Sequence, residues 1–292
     1  MGGTLRFTKM HGLGNDYVFI DGFREAVPAD HLLPELVRKM SDRHFGVGSD
    51  GLILILPSEK ADFRMRMFNA DGSEAEMCGN GIRCFAKYVY QRGLTRKTSF
   101  SIETGAGILQ PQVILEGDGG GQVKAVKVDM GRPRFKKEEI PMVGPSGERA
   151  LEETLKVDGQ EVKVSAVSMG NPHCVVFVPD VTKAPLELLG PKLENHPSFP
   201  NRTNVEFVQV HDPGEITMRV WERGSGVTLA CGTGACASVV VAASLGLTER
   251  EVTVHLDGGD LKVEWADDGR VYLTGPAEEV FDGAYFEDHR TN

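Results

Sequence analysis

Two short segments of the chain alternate apolar and polar residues, with a period of two that is typical of half-buried strands. The first covers residues 63–67 and the second covers residues 216–220. After the first segment come Cys78 and a stretch of helical spacing that ends at Gly93. After the second come Cys231 and a run that ends at Gly246, and glycine favours the end of a helix at both places. The stretch before Gly246 is almost wholly apolar, which predicts a helix buried on all sides.

The two segments belong to a longer internal repeat. Met65 and Cys78 match Met218 and Cys231 in one register, because 218 − 65 = 153 and 231 − 78 = 153. Nearer the N-terminus, two Gly-Asn pairs match more loosely with an offset of 170 − 14 = 156. The pattern predicts an α/β (α+β) fold of two pseudo-symmetric domains, each with strands wrapped around a central helix. Two such halves would place one Cys-Gly-x-Gly turn on each side of a cleft.

Three glycine-rich segments predict connections rather than sites. Residues 117–121 are a candidate linker, and residues 144–159 are predicted to form a surface loop. Residues 46–51 match Gly-x-Gly-x-x-Gly, but a dinucleotide site needs a strand before this motif and a helix after it. The apolar run at residues 52–56 predicts a strand after the motif, so we reject a nucleotide site.

The charge and the cysteine content limit the class of protein. The 292 residues include 42 acidic and 32 basic side chains, for a formal net charge of -10. This balance argues against nucleic acid as a partner, because phosphate binding needs a basic face. The chain has no apolar run that could span a membrane and no apolar signal region at its N-terminus, so we expect a cytoplasmic protein with no membrane partner. Its five cysteines have neither the even number of a disulfide framework nor zinc-site spacing.

Both repeated cysteines precede a predicted helix in a Cys-Gly-x-Gly turn. A helix N-terminus presents unpaired backbone N–H groups and partial positive charge, which bind a carboxylate and lower the pKa of a nearby thiol. Inverting a stereocentre means that one proton leaves one face of a carbon and another arrives at the opposite face. A thiolate and a thiol on opposite faces perform this chemistry directly. The sequence therefore predicts a two-thiol racemase, whereas Cys84, Cys174 and Cys236 are interpreted as structural cysteines.

Six stretches, spread over almost the whole chain, resemble the signature segments of the diaminopimelate epimerase family. They are residues 9–16, 69–73, 77–81, 169–173, 221–224 and 230–234. The resemblance implies an isomerase that interconverts LL- and meso-diaminopimelate, a small-molecule substrate, in lysine and peptidoglycan precursor biosynthesis. It implies no cofactor, neither pyridoxal phosphate nor a metal. It also implies an N-terminal half of residues 1–124 plus 277–292, a C-terminal half of residues 125–276, and an active site in the cleft between them.

The resemblance also assigns roles to individual residues. Cys78 and Cys231 are the expected catalytic pair, and His173 and Glu222 are expected to modulate the pKa values of the thiols. The residues expected to bind substrate are Asn15, Asn69, Gly79, Asn80, Asn171, Asn204, Glu222, Arg223, Gly232 and Thr233. Some members of the family carry glutamine where this chain has Gly51, so no substrate contact is expected from that side chain.

Three other interpretations stay open. A proline racemase-like enzyme would also use two thiols, although Asn69, Glu222 and Arg223 favour a longer substrate with two amino-acid ends. A thiol redox protein would cycle both cysteines through a disulfide, but the chain has no Cys-x-x-Cys motif. A binding module would hold substrate without exchanging its α-proton. The sequence does not decide the oligomeric state, and a homodimer is left open.

Overall fold

The computed structural model describes residues 4–117 and 121–286. Most of the predicted linker at residues 117–121, and the end of the predicted N-terminal half after residue 286, lie outside the described residues. The α-helices of the described chain are α1 (Leu33–Ser41), α2 (Gly79–Gln91), α3 (Leu186–Glu194) and α4 (Gly232–Ser244). Its strands are β1 (Thr4–Gly12), β2 (Asn15–Asp21), β3 (Gly51–Leu56), β4 (Phe63–Asn69), β5 (Glu74–Ala75), β6 (Ile102–Thr104), β7 (Gly107–Leu109), β8 (Gln112–Leu115), β9 (Val123–Asp129), β10 (Glu153–Val157), β11 (Gln160–Ser168), β12 (Pro172–Phe177), β13 (Asn204–Asp212), β14 (Glu215–Glu222), β15 (Gly226–Thr228), β16 (Glu251–Leu256), β17 (Gly259–Trp265), β18 (Val271–Gly275) and β19 (Glu278–Phe286).

The chain forms two compact units. Unit one consists of Met1–Val128 and Gly275–Asn292, and unit two consists of Asp129–Thr274. Over the described residues, no helix combines the length and the apolar character needed to cross a membrane.

The sheet of unit one has the strand order β19-β1-β2-β3-β4-β6-β7, and the short strand β5 pairs with β4. Helix α1 packs on one face, where Val37 and Met40 join Leu52 and Leu54 of β3 in the core. Alternate residues of a strand point to opposite faces, so Ile53 points the other way, where it lies beside Gly81 of α2. Helix α2 therefore packs on the face opposite α1.

In unit two the strands follow the order β10-β11-β12-β13-β14-β16-β17-β18, and β15 pairs with β14. Helix α4 contacts β11, β12, β13, β14, β16 and β17. Almost every residue of α4 from Gly232 to Ala242 is buried, as the apolar sequence predicts. Helix α3 lies in a second core, where Leu186 and Leu193 pack with Phe199 and Phe207.

The two units repeat one topology. In unit one β1–β2 is antiparallel, β2–β3 parallel, β3–β4 antiparallel and β4–β6 parallel. The same sequence of pairings recurs in unit two for β11–β12, β12–β13, β13–β14 and β14–β16. Helices α2 and α4 both have 13 residues, and 232 − 79 = 153, the offset of the sequence repeat. The prediction of a pseudo-symmetric α/β fold with a central helix in each half is confirmed.

The predicted surface loop at residues 144–159 is wrong in part, because it contains strand β10. This strand pairs with β11 in a hairpin, and its side chains Leu155 and Val157 are buried. Asp158 and Gly159 form the turn with φ of 51° and 79°, the left-handed pair that two-residue hairpins require. The hairpin signal was present in the sequence as Asp-Gly between alternating residues.

Candidate active site

Cys78 lies directly before helix α2 in unit one. Its backbone is extended (φ -138°, ψ 129°), and its carbonyl accepts the first helical hydrogen bond from the Ile82 N–H at 2.9 Å. The N–H groups of the first helical turn have no partner within a helix and carry partial positive charge. Because Cys78 is only partly buried, its thiol is presented at the end of the helix that attracts anions.

Two side chains contact the sulfur of Cys78. Asn15 accepts from the thiol through Oδ1 at 3.5 Å, and Asn80 donates its Nδ2 to the same Oδ1 at 3.2 Å. The hydroxyl of Tyr17 donates to the sulfur at 3.4 Å. The structure thus brings the predicted residues Asn15 and Asn80 to the thiol, and it adds Tyr17.

Tyr17 was missed because it begins an apolar run and resembles a core residue in the sequence. It is indeed 4% exposed. Burial, and then the nearby Cys78, raise the pKa of Tyr17 well above its ordinary value. The hydroxyl therefore keeps its proton and remains a hydrogen-bond donor to the sulfur.

Asp50 fixes the orientation of Asn15. Its Oδ2 accepts from Asn15 Nδ2 at 2.8 Å and from the Asp16 backbone N–H at 3.0 Å. Arg43 Nη2 lies 2.8 Å from both Asp16 and Asp50, and Lys9 forms a further ion pair with Asp16. Because Asp50 holds the amide nitrogen of Asn15, the amide oxygen of Asn15 faces Cys78.

Cys231 occupies the equivalent position before helix α4 in unit two. Its backbone is also extended, and its sulfur accepts from the Gly234 N–H at 3.4 Å. The hydroxyl of Thr233 lies 3.5 Å from the sulfur. Burial, together with the charge of Glu222, raises the pKa of the Cys231 thiol well above its ordinary value.

The Gly234 N–H at the helix N-terminus does lower the pKa of Cys231, as expected, but burial and the nearby carboxylates outweigh it. A helix terminus contributes about 0.3–1 kcal/mol, up to about 2 kcal/mol when partly buried. Full burial beside carboxylates opposes ionisation more strongly than this. Cys231 consequently carries its proton at neutral pH.

A chain of hydrogen-bonding side chains leads from Cys231 into the interior of unit two. Asn171 Nδ2 lies 3.4 Å from Thr233 Oγ1, and Asn171 Oδ1 lies 3.0 Å from His173 Nε2. His173 Nδ1 lies 2.7 Å from Glu206 Oε1, and neither of these side chains is exposed. The structure thus connects the predicted residues His173, Asn171 and Thr233 to Cys231, and it adds Glu206.

Glu206 was missed because it lies 33 residues from its partner, on a strand whose pairing the sequence does not reveal. One signal was available. Glu206 is the one charged residue within the apolar run Val205–Val208, and β13 is buried along both faces there. An ionisable residue inside such a strand needs a partner.

Three further predicted residues form a group next to β13 and β14. Asn204 accepts the backbone N–H of Arg223 at 3.0 Å and donates to the Pro172 carbonyl at 2.9 Å. The Arg223 guanidinium donates to the Asn201 carbonyl at 3.0 Å. Glu222 accepts a short hydrogen bond from Thr228. These contacts place Asn204, Glu222 and Arg223 together at one end of β14.

Asn69 is a predicted residue of unit one whose side-chain hydrogen bond goes to Ser73 rather than to Cys78. It lies at the exposed end of β4, where its side chain donates to Ser73 at 3.0 Å. Gly51 pairs with Asn69 across the sheet, and a side chain at Gly51 would collide with the backbone, since its Cβ would lie 2.0 Å from the Phe68 oxygen. The backbone at this position therefore leaves no room for a glutamine side chain.

Comparisons with known proteins identify the family of the chain. The family model described as diaminopimelate epimerase matches residues 7–136 and 165–280. The chain is 57% identical over 282 residues to the diaminopimelate epimerase of Pelotomaculum thermopropionicum, an alignment that covers 96% of this chain and 99% of the relative.

Solved structures share the fold at low sequence identity. A hydroxyproline epimerase from Agrobacterium vitis has a TM-score of 0.68 at 16% identity, covering 99% of this chain and 92% of that one. A phenazine biosynthesis protein of the PhzF family from Bacillus anthracis has a TM-score of 0.69 at 20% identity, covering 97% and 99%.

The repeated units with their cysteine-capped helices, taken with these relatives, define the protein as an isomerase of the epimerase class. The chain belongs to the diaminopimelate epimerase family. The resemblance seen in the sequence is confirmed.

Proposed function

We propose that this protein interconverts LL- and meso-diaminopimelate with Cys78 and Cys231 as its acid–base pair, in lysine and peptidoglycan precursor biosynthesis. The observation that carries the proposal is the equivalence of the two cysteines. Each stands at the N-cap position of a helix of 13 residues, at the same point of a repeated topology. Membership of the family supports diaminopimelate as the substrate.

The chemistry requires one proton acceptor and one proton donor on opposite faces of the reacting carbon. In the direction of the reaction in which Cys231 is the proton donor, Cys78 is the base and enters as the thiolate. The Cα–H bond breaks as an S–H bond forms on Cys78, while the S–H bond of Cys231 breaks as the new Cα–H bond forms. The proton count is unchanged, no oxidant or reductant is consumed, and the two roles are reversed after one turnover.

The two helix termini supply the charge stabilisation that the reaction needs. Removing the α-proton moves negative charge onto the adjacent carboxylate, and donors aimed at that charge lower the barrier. We propose that the first-turn N–H groups of α2 (Gly79 and Asn80) and of α4 (Gly232 and Thr233) bind this carboxylate. One donor of this kind contributes about 2.7–4 kcal/mol to the rate in other enzymes.

The distal end of the substrate is proposed to contact Asn69, Asn171, Asn204 and Arg223, with Glu222 at the distal ammonium. The arginine offers a planar fork that fits a carboxylate, and Asn204 holds the backbone of Arg223 in place. The charged residues Glu222 and Arg223 at the end of β14 support a substrate with a second amino-acid group.

A cytoplasmic location is part of the proposal. All five cysteines are free thiols, and the mechanism needs two of them reduced. Reducing compartments keep thiols in this state.

The direct experiment is incubation of the purified protein with LL-diaminopimelate, followed by chiral analysis for the meso isomer. L-Proline, trans-4-hydroxy-L-proline and L-lysine are the comparison substrates. We expect turnover of diaminopimelate alone. Racemisation of proline in preference to diaminopimelate would contradict the proposed substrate, and binding without α-proton exchange would contradict an enzyme.

Variants then test the two thiols. Cys78→Ala and Cys231→Ala should each abolish turnover, whereas Cys84→Ala in α2 and Cys236→Ala in α4 should keep it. The control pair removes a thiol from the same two helices, away from their N-termini. Full activity in a folded Cys78→Ala or Cys231→Ala protein would overturn the two-thiol mechanism.

A further inference from the structure

The two units carry different residues at equivalent positions beneath their helix N-termini. A Cβ at Gly81 would lie 2.7 Å from Ile53 Cδ1, and a Cβ at Gly234 would lie 2.8 Å from Glu206 Oε1. These glycines match in the repeat, since 234 − 81 = 153. The carboxylate of Glu206 therefore occupies the place that an apolar side chain fills in unit one.

A second difference between the units lies at the positions of Tyr17 and His173. Tyr17 pairs with Gly51 across β2 and β3, and His173 pairs with Asn204 across the equivalent strands β12 and β13. Tyr17 donates directly to Cys78, whereas His173 reaches Cys231 only through Asn171 and Thr233. Unit two has thus replaced one direct donor with a buried relay.

The Glu206–His173 pair holds a proton between its members. The 2.7 Å separation of Oε1 and Nδ1 needs a hydrogen, because two lone pairs at that distance repel. Oε2 of Glu206 has no hydrogen-bond partner among the described residues, so an unpaired carboxylate here would carry a large desolvation cost. Asn171 presents its Oδ1, which can only accept, 3.0 Å from Nε2, so the hydrogen of that contact lies on Nε2.

That shared proton sets the direction of every later hydrogen bond. With Nδ1 engaged, His173 carries a proton on Nε2 and donates it to Asn171 Oδ1. The amide nitrogen of Asn171 then donates to Thr233 Oγ1, and the Thr233 hydroxyl hydrogen is left to donate to Cys231. If Glu206 were absent, His173 could hold its proton on Nδ1 instead. The Asn171 amide would then turn over, and Thr233 would donate to Asn171 rather than to the sulfur.

We infer that Glu206 is a positioning residue that fixes this relay so that it ends as a hydrogen-bond donor to Cys231. The inference rests on the proposed role of Cys231. The ionisable groups that face this sulfur are Glu222 from β14, Glu206 from β13 and, through the relay, His173 from β12. Glu206 acts on the thiol through the direction of the hydrogen bonds.

Two substitutions separate this role from simple packing. Glu206→Gln keeps an N–H that donates to His173 Nδ1, so the relay keeps its direction. Glu206→Leu removes the hydrogen bond to His173. The new side chain resembles Ile53, the equivalent residue of unit one, in size and polarity. We expect kcat/KM to stay within about threefold of the unchanged protein for glutamine and to fall about tenfold for leucine, the scale of one hydrogen bond to a charged group.

A double-mutant cycle with Thr233→Val tests whether the effect passes through the relay. Valine has no hydroxyl to donate, so Glu206→Leu should cost less than about threefold in that background if the two residues act in series. Equal losses from Glu206→Leu in both backgrounds would show a packing effect and overturn the inference. If the leucine variant does not fold, Asn171→Asp replaces it in the cycle, because aspartate cannot donate to Thr233.

Nitrogen-15 NMR of labelled histidine gives a readout that does not depend on turnover. His173 should show a protonated Nε2 in the unchanged protein and in Glu206→Gln, and it should lose this state in Glu206→Leu. An unprotonated Nε2 in the unchanged protein would overturn the relay even if the protein proves to be an active epimerase. A protonated Nε2 in a protein without epimerase activity would contradict the proposed function and leave the relay standing.

Discussion

Tyr17→Phe removes one oxygen atom from beside the sulfur of Cys78. The side chain is 4% exposed, and its hydroxyl lies 3.4 Å from the sulfur. A hydrogen bond contributes about 0.5–1.5 kcal/mol between neutral groups and about 1.5–3 kcal/mol when one partner is charged. The thiolate therefore loses about 1 kcal/mol more than the thiol, which predicts an approximately fivefold loss of Cys78 thiolate reactivity.

The assay is alkylation by iodoacetamide at neutral pH, with mass spectrometry of the peptides that contain Cys78 and Cys231. Cys231 is the internal reference, because its sulfur contacts Thr233 and Gly234, whereas Tyr17 contacts Cys78. We expect slower alkylation of Cys78 relative to Cys231, and an equal loss of kcat/KM in both directions of the reaction. If both cysteines keep their wild-type ratio in a folded variant, the hydroxyl does not stabilise the thiolate and this reasoning fails.

Three further predictions concern stability and substrate choice. Gly51→Ala should lower the free energy of unfolding of unit one in urea by about 1–3 kcal/mol or more, because its Cβ would lie 2.0 Å from a backbone oxygen. Gly214→Ala is the control, since the one atom near its Cβ is a side-chain atom at 3.5 Å. Equal stability of the two variants would contradict the clash. Burial raises the pKa of Cys84 from 9.0 to about 12, so the folded state holds this proton more tightly and its stability should fall between pH 9 and pH 12. Cys84→Ala should flatten that decline, and an unchanged slope would refute it. Arg223→Ala should lower kcat/KM for diaminopimelate and reduce the preference for it over monocarboxylic amino acids, and an unchanged preference would remove Arg223 from the distal site.

The repeat and the two cysteine-capped helices could be predicted because their signals are local. Glycines on either side of each helix and an apolar pattern with helical spacing specify where α2 and α4 begin and end. The structure places Gly93 and Gly246 at φ of 73° and 71° just after the two helices, as a glycine stop requires. Strands β3, β4 and β14 also follow their predicted patterns.

The supporting residues could not be predicted because their roles depend on pairing between distant strands. Asp50 reaches Asn15 across β2 and β3, and Glu206 reaches His173 across β12 and β13. Both strand pairs are parallel, so no short hairpin brings the partners together in sequence. The raised pKa of Cys231 has the same origin, since it depends on burial that only the folded unit defines.

The central claim is that one thiol removes a proton from the substrate and a second thiol donates a different one. A reaction in deuterium oxide tests this claim most directly. Each thiol exchanges with solvent before the first turnover, so the donor thiol carries deuterium. At low conversion from either stereoisomer, mass spectrometry should find deuterium at the inverted carbon of the product and almost none in the remaining substrate. Product that keeps its original hydrogen would mean that a single group removes and returns the same proton, which would contradict the pairing of Cys78 with Cys231.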